Sequence, residues 1–140
     1  MKVARMLYWV FAWLFVVGVA TQVFFAGMAV VANRWGWDNH IGLGHTLAAP
    51  LLVMLVTMIL GKLPGGMKRL TWLLFGVYVL QADVLIFLRA SAPVLSALHP
   101  VMALVDFALG LALARQARAL VRADEASELA RPHAEGASAD

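Results

Sequence analysis

Four ionisable side chains inside apolar runs are the residues of this sequence that could bind a metal or a cofactor. They are His45, Asp83, His99 and Asp106. Imidazole is a common ligand of haem iron, and imidazole together with carboxylate suits zinc, iron or manganese. The sequence has no cysteine, so any such site would have to be built without thiolate ligands.

The composition predicts that these side chains lie in a membrane. Of the 140 residues, 63% are hydrophobic and 14% are charged, whereas a soluble domain has roughly 45–50% apolar and about 25% charged residues. A soluble domain of this length needs a polar exterior, which these residues cannot supply. The expected partner of the surface is therefore the lipid bilayer.

Four charge-poor runs are long enough to cross a hydrocarbon core as helices. The predicted spans cover residues 6–32, 41–60, 70–88 and 93–114, with a cytoplasmic extension to residue 122. Residues 1–122 would form one all-α unit, and the polar residues 123–140 are predicted to be a disordered tail. Pro50 is expected to bend the second span near Thr46. Short loops predict an up-down-up-down bundle.

The basic residues predict the orientation of the bundle. One side carries Lys2, Arg5, Lys62, Lys68, Arg69, Arg115, Arg118 and Arg122, and the other carries Arg34 and Arg89. The positive-inside rule then predicts that both termini lie on the cytoplasmic side of a bacterial inner membrane. The net charge of +3 is thus explained mostly by membrane topology. The sequence has no nucleic-acid-binding motif, so a nucleic acid is not expected as a partner. A homo-oligomer or another membrane protein is a further expected partner.

Helix geometry places most polar residues of the spans in the outer half of the bundle. His45 and Asp83 lie at similar shallow depth, and His99 and Asp106 share a helix face with Asp106 about 10 Å deeper. The supporting polar residues are His40, at the interface, and Gln22, Gln81, Asp83 and Asp106. Since an Asp at mid-helix costs at least ~2.5 kcal/mol in a membrane, this pattern predicts an outward-facing pocket centred on the histidines.

The leading functional hypothesis is a b-type haem with His45 and His99 as axial ligands, used for electron transfer. Helical bundles build cofactor sites from side chains on facing helices. The small residues Gly42 and Gly44 beside His45, and Ala97 near His99, leave room for a flat macrocycle.

Two other functions stay open on this evidence. One is a divalent-metal or proton-coupled transport site that uses His45, His99, Asp83 and Asp106. The other is a structural or scaffold membrane protein without a cofactor, in which buried polar groups only fix helix register. No nucleophile with a base, phosphate loop or hydrolase motif is present, so an enzyme is the less favoured class.

Several short patterns resemble a known family. They are WLF…QVFFAG from Trp13 to Gly27, Trp37 with His40 and His45, Leu80-Gln81, and ALHP from Ala97 to Pro100. Together they are similar to small four-helix bacterial membrane proteins grouped as domain of unknown function 6220. The resemblance covers residues 6 to about 118 and implies the four-span topology. It implies no ligand, and Asp83 and Asp106 are not part of its pattern.

Overall fold

The computed structural model describes residues 1–32 and 36–136, with the side chains of that part as far as residue 130. Its described part is helical and contains no strand. Four helical segments in it are long and apolar enough to cross a membrane: Lys2–Val31, Gly36–Leu60, Gly65–Phe87 and Pro93–Ala130. The chain is therefore a multi-pass membrane protein with four antiparallel spans, and the predicted fold class is confirmed.

The first two spans pack closely against each other where the second one begins. The first span is one helix, α1 (Lys2–Val31), and the second is α2 (Gly36–Thr46) followed by α3 (Ala48–Leu60). The second span thus begins earlier than the predicted start at Ile41. Gly36 lies so close to Ala29 N and Phe25 O that a Cβ atom would overlap both of them. Only glycine allows α2 to start this near to α1.

The interruption between α2 and α3 falls at Leu47, next to the bend predicted near Thr46. Pro50 has no backbone N–H to donate to the carbonyl of Thr46, so the helical hydrogen-bond ladder is broken at this turn. The side chain of Leu47 packs against Gly18 of α1. The bend therefore fits against the first span.

The third span contains an irregularity that the sequence did not predict. It consists of α4 (Gly65–Val79), a π-helix (Leu80–Val84) and the short α5 (Leu85–Phe87). The backbone N–H of Leu85 donates to Leu80 O, five residues earlier. Such wide turns are rare and occur often at functional sites.

The fourth span starts with α6 (Pro93–Ser96) and continues as α7 (His99–Gly136). Pro93 stands in the first turn of α6 and Pro100 in the first turn of α7, where a missing N–H costs no helical hydrogen bond. The last helix continues past residue 122, where the tail was predicted to begin. Residues 33–35, which include Arg34 and Trp35 of the predicted loop between the first two spans, lie outside the described residues, as do residues 137–140.

The core lies where α1 packs against α3 and α7 and where α4 packs against α7, while α3 and α4 touch only sparsely. Its largest fully buried side chains include Tyr8, Phe15, Leu51, Met54, Leu74 and Leu113. Many aliphatic and aromatic side chains point outward instead, as expected where lipid tails replace water. We call the end of the bundle with His40, His45 and His99 the histidine end, and the opposite end, with Arg5 and Lys62, the basic end.

Candidate histidine site

Two histidines at the histidine end are held in the same way by neighbouring spans. The Nδ1 atom of His40, on α2, lies 3.0 Å from Gln22 O of α1. The Nδ1 atom of His99, on α7, lies 2.8 Å from Gln81 O of the π-helix. In both pairs the histidine follows the glutamine by 18 residues. The two halves of the bundle thus contribute equivalent histidines.

The hydrogen bonds fix the tautomer of both rings. A backbone carbonyl can only accept, so Nδ1 must carry the proton in His40 and in His99. In the neutral imidazole, Nε2 is then left with its lone pair, the form that binds a metal ion. A histidine ligand commonly donates its other ring N–H to a carbonyl in this manner. Both rings are therefore in the tautomer that can bind a metal through Nε2.

The two rings lie side by side. The ring centres of His40 and His99 are 6.0 Å apart, with an angle of 71° between the ring planes. Trp37 packs edge-on against His40 at 5.7 Å, on the same turn of α2. Both histidines are half-buried. This is a paired-imidazole arrangement between the second and fourth spans, with an aromatic side chain beside it.

His45, predicted as the partner of His99, lies in a different place. Its Nδ1 donates to Ile41 O of its own helix over 2.8 Å, and the side chain is exposed. It lines an open groove together with Asp83 of the π-helix. The structure therefore pairs His99 with His40, which was predicted only as a supporting residue at the interface.

Below the histidine pair lies a group of buried oxygen atoms without hydrogen-bond partners. Asp106 is fully buried, and neither of its carboxyl oxygens has a hydrogen bond of normal geometry to a described residue. Its neighbour is the side chain of Gln81. The Oε1 atoms of Gln22 and Gln81 also lack partners among these residues. Each of these oxygen atoms is an acceptor that a proton, a cation or a water could satisfy.

The remaining polar neighbour of this cluster is satisfied. Tyr78 of α4 donates its hydroxyl proton to Gly44 O over 2.7 Å. Gly44 in turn lies against the amide nitrogen of Gln22, where a Cβ atom would meet Nε2 at 2.6 Å. The second, first and third spans are thus linked directly below His40.

The sequence contains a repeated pattern that predicts the histidine pair and that the division into spans does not reveal. Trp13-Leu14 precedes Gln22 at the same spacing as Trp72-Leu73 precedes Gln81, and the two histidines follow at equal spacing. A repeated Trp-Leu…Gln…His pattern in the first and second halves predicts equivalent positions for His40 and His99. Within the described residues, no three His, Cys, Asp or Glu side chains form a group that could hold an ion.

These features define a class: a four-span membrane protein with a paired-histidine site at one end of its bundle. Residues 22–88 match the model of a family of unknown function, DUF6220. This match confirms the resemblance predicted from the sequence, and it covers Gln22, His40, His45 and Gln81 but ends before His99. No curated protein and no solved structure matches the chain.

Proposed function

We propose that the protein binds b-type haem, with His40 and His99 as the two axial ligands of the iron, and that it serves in electron transfer. The observation that carries the proposal is the pair of imidazoles with Nδ1 bonded to backbone carbonyls and ring centres 6.0 Å apart. With Nδ1 protonated, Nε2 of each ring is the atom that could bind a metal. The pairing of His45 with His99 stays a prediction, and the geometry supports His40 in its place.

The distance between the ring centres is compatible with two ligands on opposite sides of one iron. With metal–nitrogen bonds of ~2 Å, the ring centres of two opposed imidazoles are about 6.2 Å apart, and those of two imidazoles at a tetrahedral angle about 5 Å. The observed 6.0 Å is close to the first value. Opposed imidazoles are the ligands of a six-coordinate haem, in which the macrocycle supplies the other four nitrogen atoms.

The site is also suitably placed for a flat, apolar cofactor. A Cβ atom added to Gly42, on the turn after His40, would meet nothing within 4 Å, and the same holds for Gly27 near the end of α1. The surrounding spans expose apolar side chains, such as Phe24 and Ile41. Haem could therefore bury its macrocycle edge among apolar groups while the two histidines hold the iron.

We further propose that the histidine end faces away from the cytoplasm in a bacterial inner membrane. The support is the excess of lysine and arginine at the basic end, with Arg5, Lys62, Lys68 and Arg69 among eight such residues. The haem would then lie near the outer surface. An electron partner, either a second copy of this chain or another membrane protein, would approach from that side or from the lipid.

The test is the absorption spectrum of the detergent-purified protein, oxidised and then reduced with dithionite. Haem binding predicts a Soret band and sharp α and β bands in the reduced sample. His40→Ala and His99→Ala should each abolish them, because one axial ligand is lost. His45→Ala is the matched control and should retain the bands.

Two results would overturn this assignment. Loss of haem in His45→Ala with retention in His40→Ala would replace His40 by His45 as the ligand. A colourless protein with zinc, iron or manganese in stoichiometric amount by elemental analysis would favour the divalent-metal hypothesis instead. A colourless protein without metal, even after incubation with haemin, would leave the transport and scaffold hypotheses.

A further inference from the structure

The groove beside His45 is a second feature of the histidine end, separate from the histidine pair. It lies between the second and third spans, which touch only sparsely. Its volume is about 550 Å³, and it is lined by His45, Ala82, Asp83, Val84, Ile86 and Phe87. The groove is open to the surroundings of the bundle, so a molecule dissolved in the membrane could enter it from the side.

We propose that this groove binds the head of a membrane-dissolved hydroquinone, an aromatic ring with two hydroxyl groups and an isoprenoid tail. The proposal concerns binding alone and does not depend on haem at His40 and His99. A role for the bound hydroquinone as electron donor would rest on the proposed function.

The two polar groups of the groove are both acceptors. The Nδ1 proton of His45 is donated to Ile41 O over 2.8 Å, which leaves Nε2 of the neutral ring as an acceptor. A carboxyl group in its carboxylate form, such as Asp83 can supply, only accepts. Both side chains are exposed and line the groove. A ligand with two hydroxyl donors therefore fits, whereas a quinone, which has only acceptors, does not.

The position of Asp83 supports a ligand at this place. Asp83 belongs to the π-helix Leu80–Val84, and an exposed carboxylate inside a membrane span is unfavourable without a polar partner. Rare π-turns are found frequently at functional sites. A hydroxyl proton donated to Asp83 would give this carboxylate the partner that lipid tails cannot supply.

The other walls of the groove suit an aromatic ring with a long apolar tail. Ala82, Val84, Ile86 and Phe87 are apolar, and Phe87 is 85% exposed. Its ring is free to pack against a ligand ring. A carboxylate at Asp83 would repel the phosphate of a phospholipid headgroup, so we expect a neutral diol instead.

Direct binding to the full-length protein in lipid nanodiscs, measured anaerobically by equilibrium dialysis, tests the proposal. The probes are decyl-1,4-benzohydroquinone, its oxidised quinone, and its dimethyl ether, which keeps the ring and tail but has no hydroxyl donor. The hydroquinone should bind at least about tenfold more tightly than either of the others, since each lost hydrogen bond to a charged or aligned acceptor is worth about that factor.

Variants locate the binding. His45→Ala and Asp83→Ala should each weaken hydroquinone binding about tenfold. Thr46→Ala and Asp38→Asn are matched controls, because they change an exposed hydroxyl and an exposed carboxylate that do not line the groove, and they should bind as the wild type does. Size-exclusion profiles identical to the wild type confirm that the variants are folded.

The proposal is overturned if the dimethyl ether or the quinone binds as tightly as the hydroquinone, since the acceptors would then be irrelevant. It is also overturned if His45→Ala and Asp83→Ala both bind like the controls. Displacement of the hydroquinone by a short-chain phosphatidylglycerol at equal concentration would identify the groove as a phospholipid site and contradict the proposal as well.

Discussion

In the described part of the chain, the basic end of the bundle pairs most of its buried polar side chains, whereas more buried polar atoms lack partners toward the histidine end. At the basic end, Arg5 donates to Gly61 O over 3.0 Å and forms an ion pair with Asp124 at 2.8 Å. Tyr8 and Thr71, both fully buried, are hydrogen-bonded at 2.6 Å. Two buried atoms at this end, the indole nitrogen of Trp9 and Oδ2 of Asp124, have no hydrogen-bond partner among the described residues.

Toward the histidine end, both carboxyl oxygens of Asp106 and the Oε1 atoms of Gln22 and Gln81 have no hydrogen-bond partner among the described residues. Buried polar groups cost free energy unless they are paired. One end of the bundle is therefore built for stability, and the other keeps unpaired polar groups, as expected for a binding site.

The largest effect is expected in a labelling experiment that shows which end of the bundle faces outward. The chain has no cysteine, so a single introduced cysteine reports its own location. A membrane-impermeant maleimide added to intact cells should label Ser91→Cys, at the histidine end, and should not label Gly65→Cys, at the basic end. After cell lysis both should react. Labelling of Gly65→Cys alone in intact cells would reverse the orientation.

Truncation of the central core should destabilise the protein strongly. Phe15 is fully buried and packs edge-on against Tyr78 at 6.1 Å. Phe15→Ala should cost about 3–5 kcal/mol, because the cavity cannot close in a packed bundle. Thermal unfolding in detergent would show this as a large fall in Tm. Phe87→Ala removes an exposed ring and should leave Tm nearly unchanged; an equal fall would contradict the assignment of the core.

Asp106→Asn should act in the opposite direction. It replaces a buried carboxyl, which lies beside Gln81 but has no hydrogen bond of normal geometry to a described residue, by an amide that can donate to Gln81 Oε1. We expect stabilisation of about 1 kcal/mol, seen as a higher Tm. A stabilising change at a native residue would indicate that Asp106 is kept for function at the expense of stability. A lower Tm would show that the carboxyl has a structural role.

The smallest effect is expected from the hydrogen bond at the basic end. The Thr71 hydroxyl donates to Met67 O over 2.8 Å, so it accepts the proton of Tyr8. Tyr8→Phe leaves the donor of Thr71 satisfied and should cost only about 1 kcal/mol. A loss as large as that of Phe15→Ala would show that this pair organises the bundle more than its geometry suggests.

The four spans could be predicted from the sequence because each is a long run with few charges, and lipid requires such runs to be helical. The pairing of the histidines could not be predicted in the same way. With the second span starting at Ile41, His40 was placed at the interface. In the structure α2 begins at Gly36, close to α1, and this earlier start brings His40 to Gln22 O.

The exposure of His45 and the π-helix around Asp83 were also beyond the sequence pattern. A hydrogen bond from His45 to Ile41 O depends on the rotamer that the neighbouring spans allow. The π-helix Leu80–Val84 contains no glycine or proline, so no helix-breaking residue marks its position in the sequence. The equal spacing from Gln22 to His40 and from Gln81 to His99, in contrast, was present in the sequence.

Electron paramagnetic resonance of the oxidised, haem-loaded protein tests the central claim most directly, because it reports the axial ligands of the iron. Wild type and His45→Ala should both give the low-spin ferric signal of iron with two imidazole ligands. His40→Ala and His99→Ala should give a high-spin signal or contain no haem. A low-spin signal that persists in His40→Ala and is lost in His45→Ala would contradict the proposed pair.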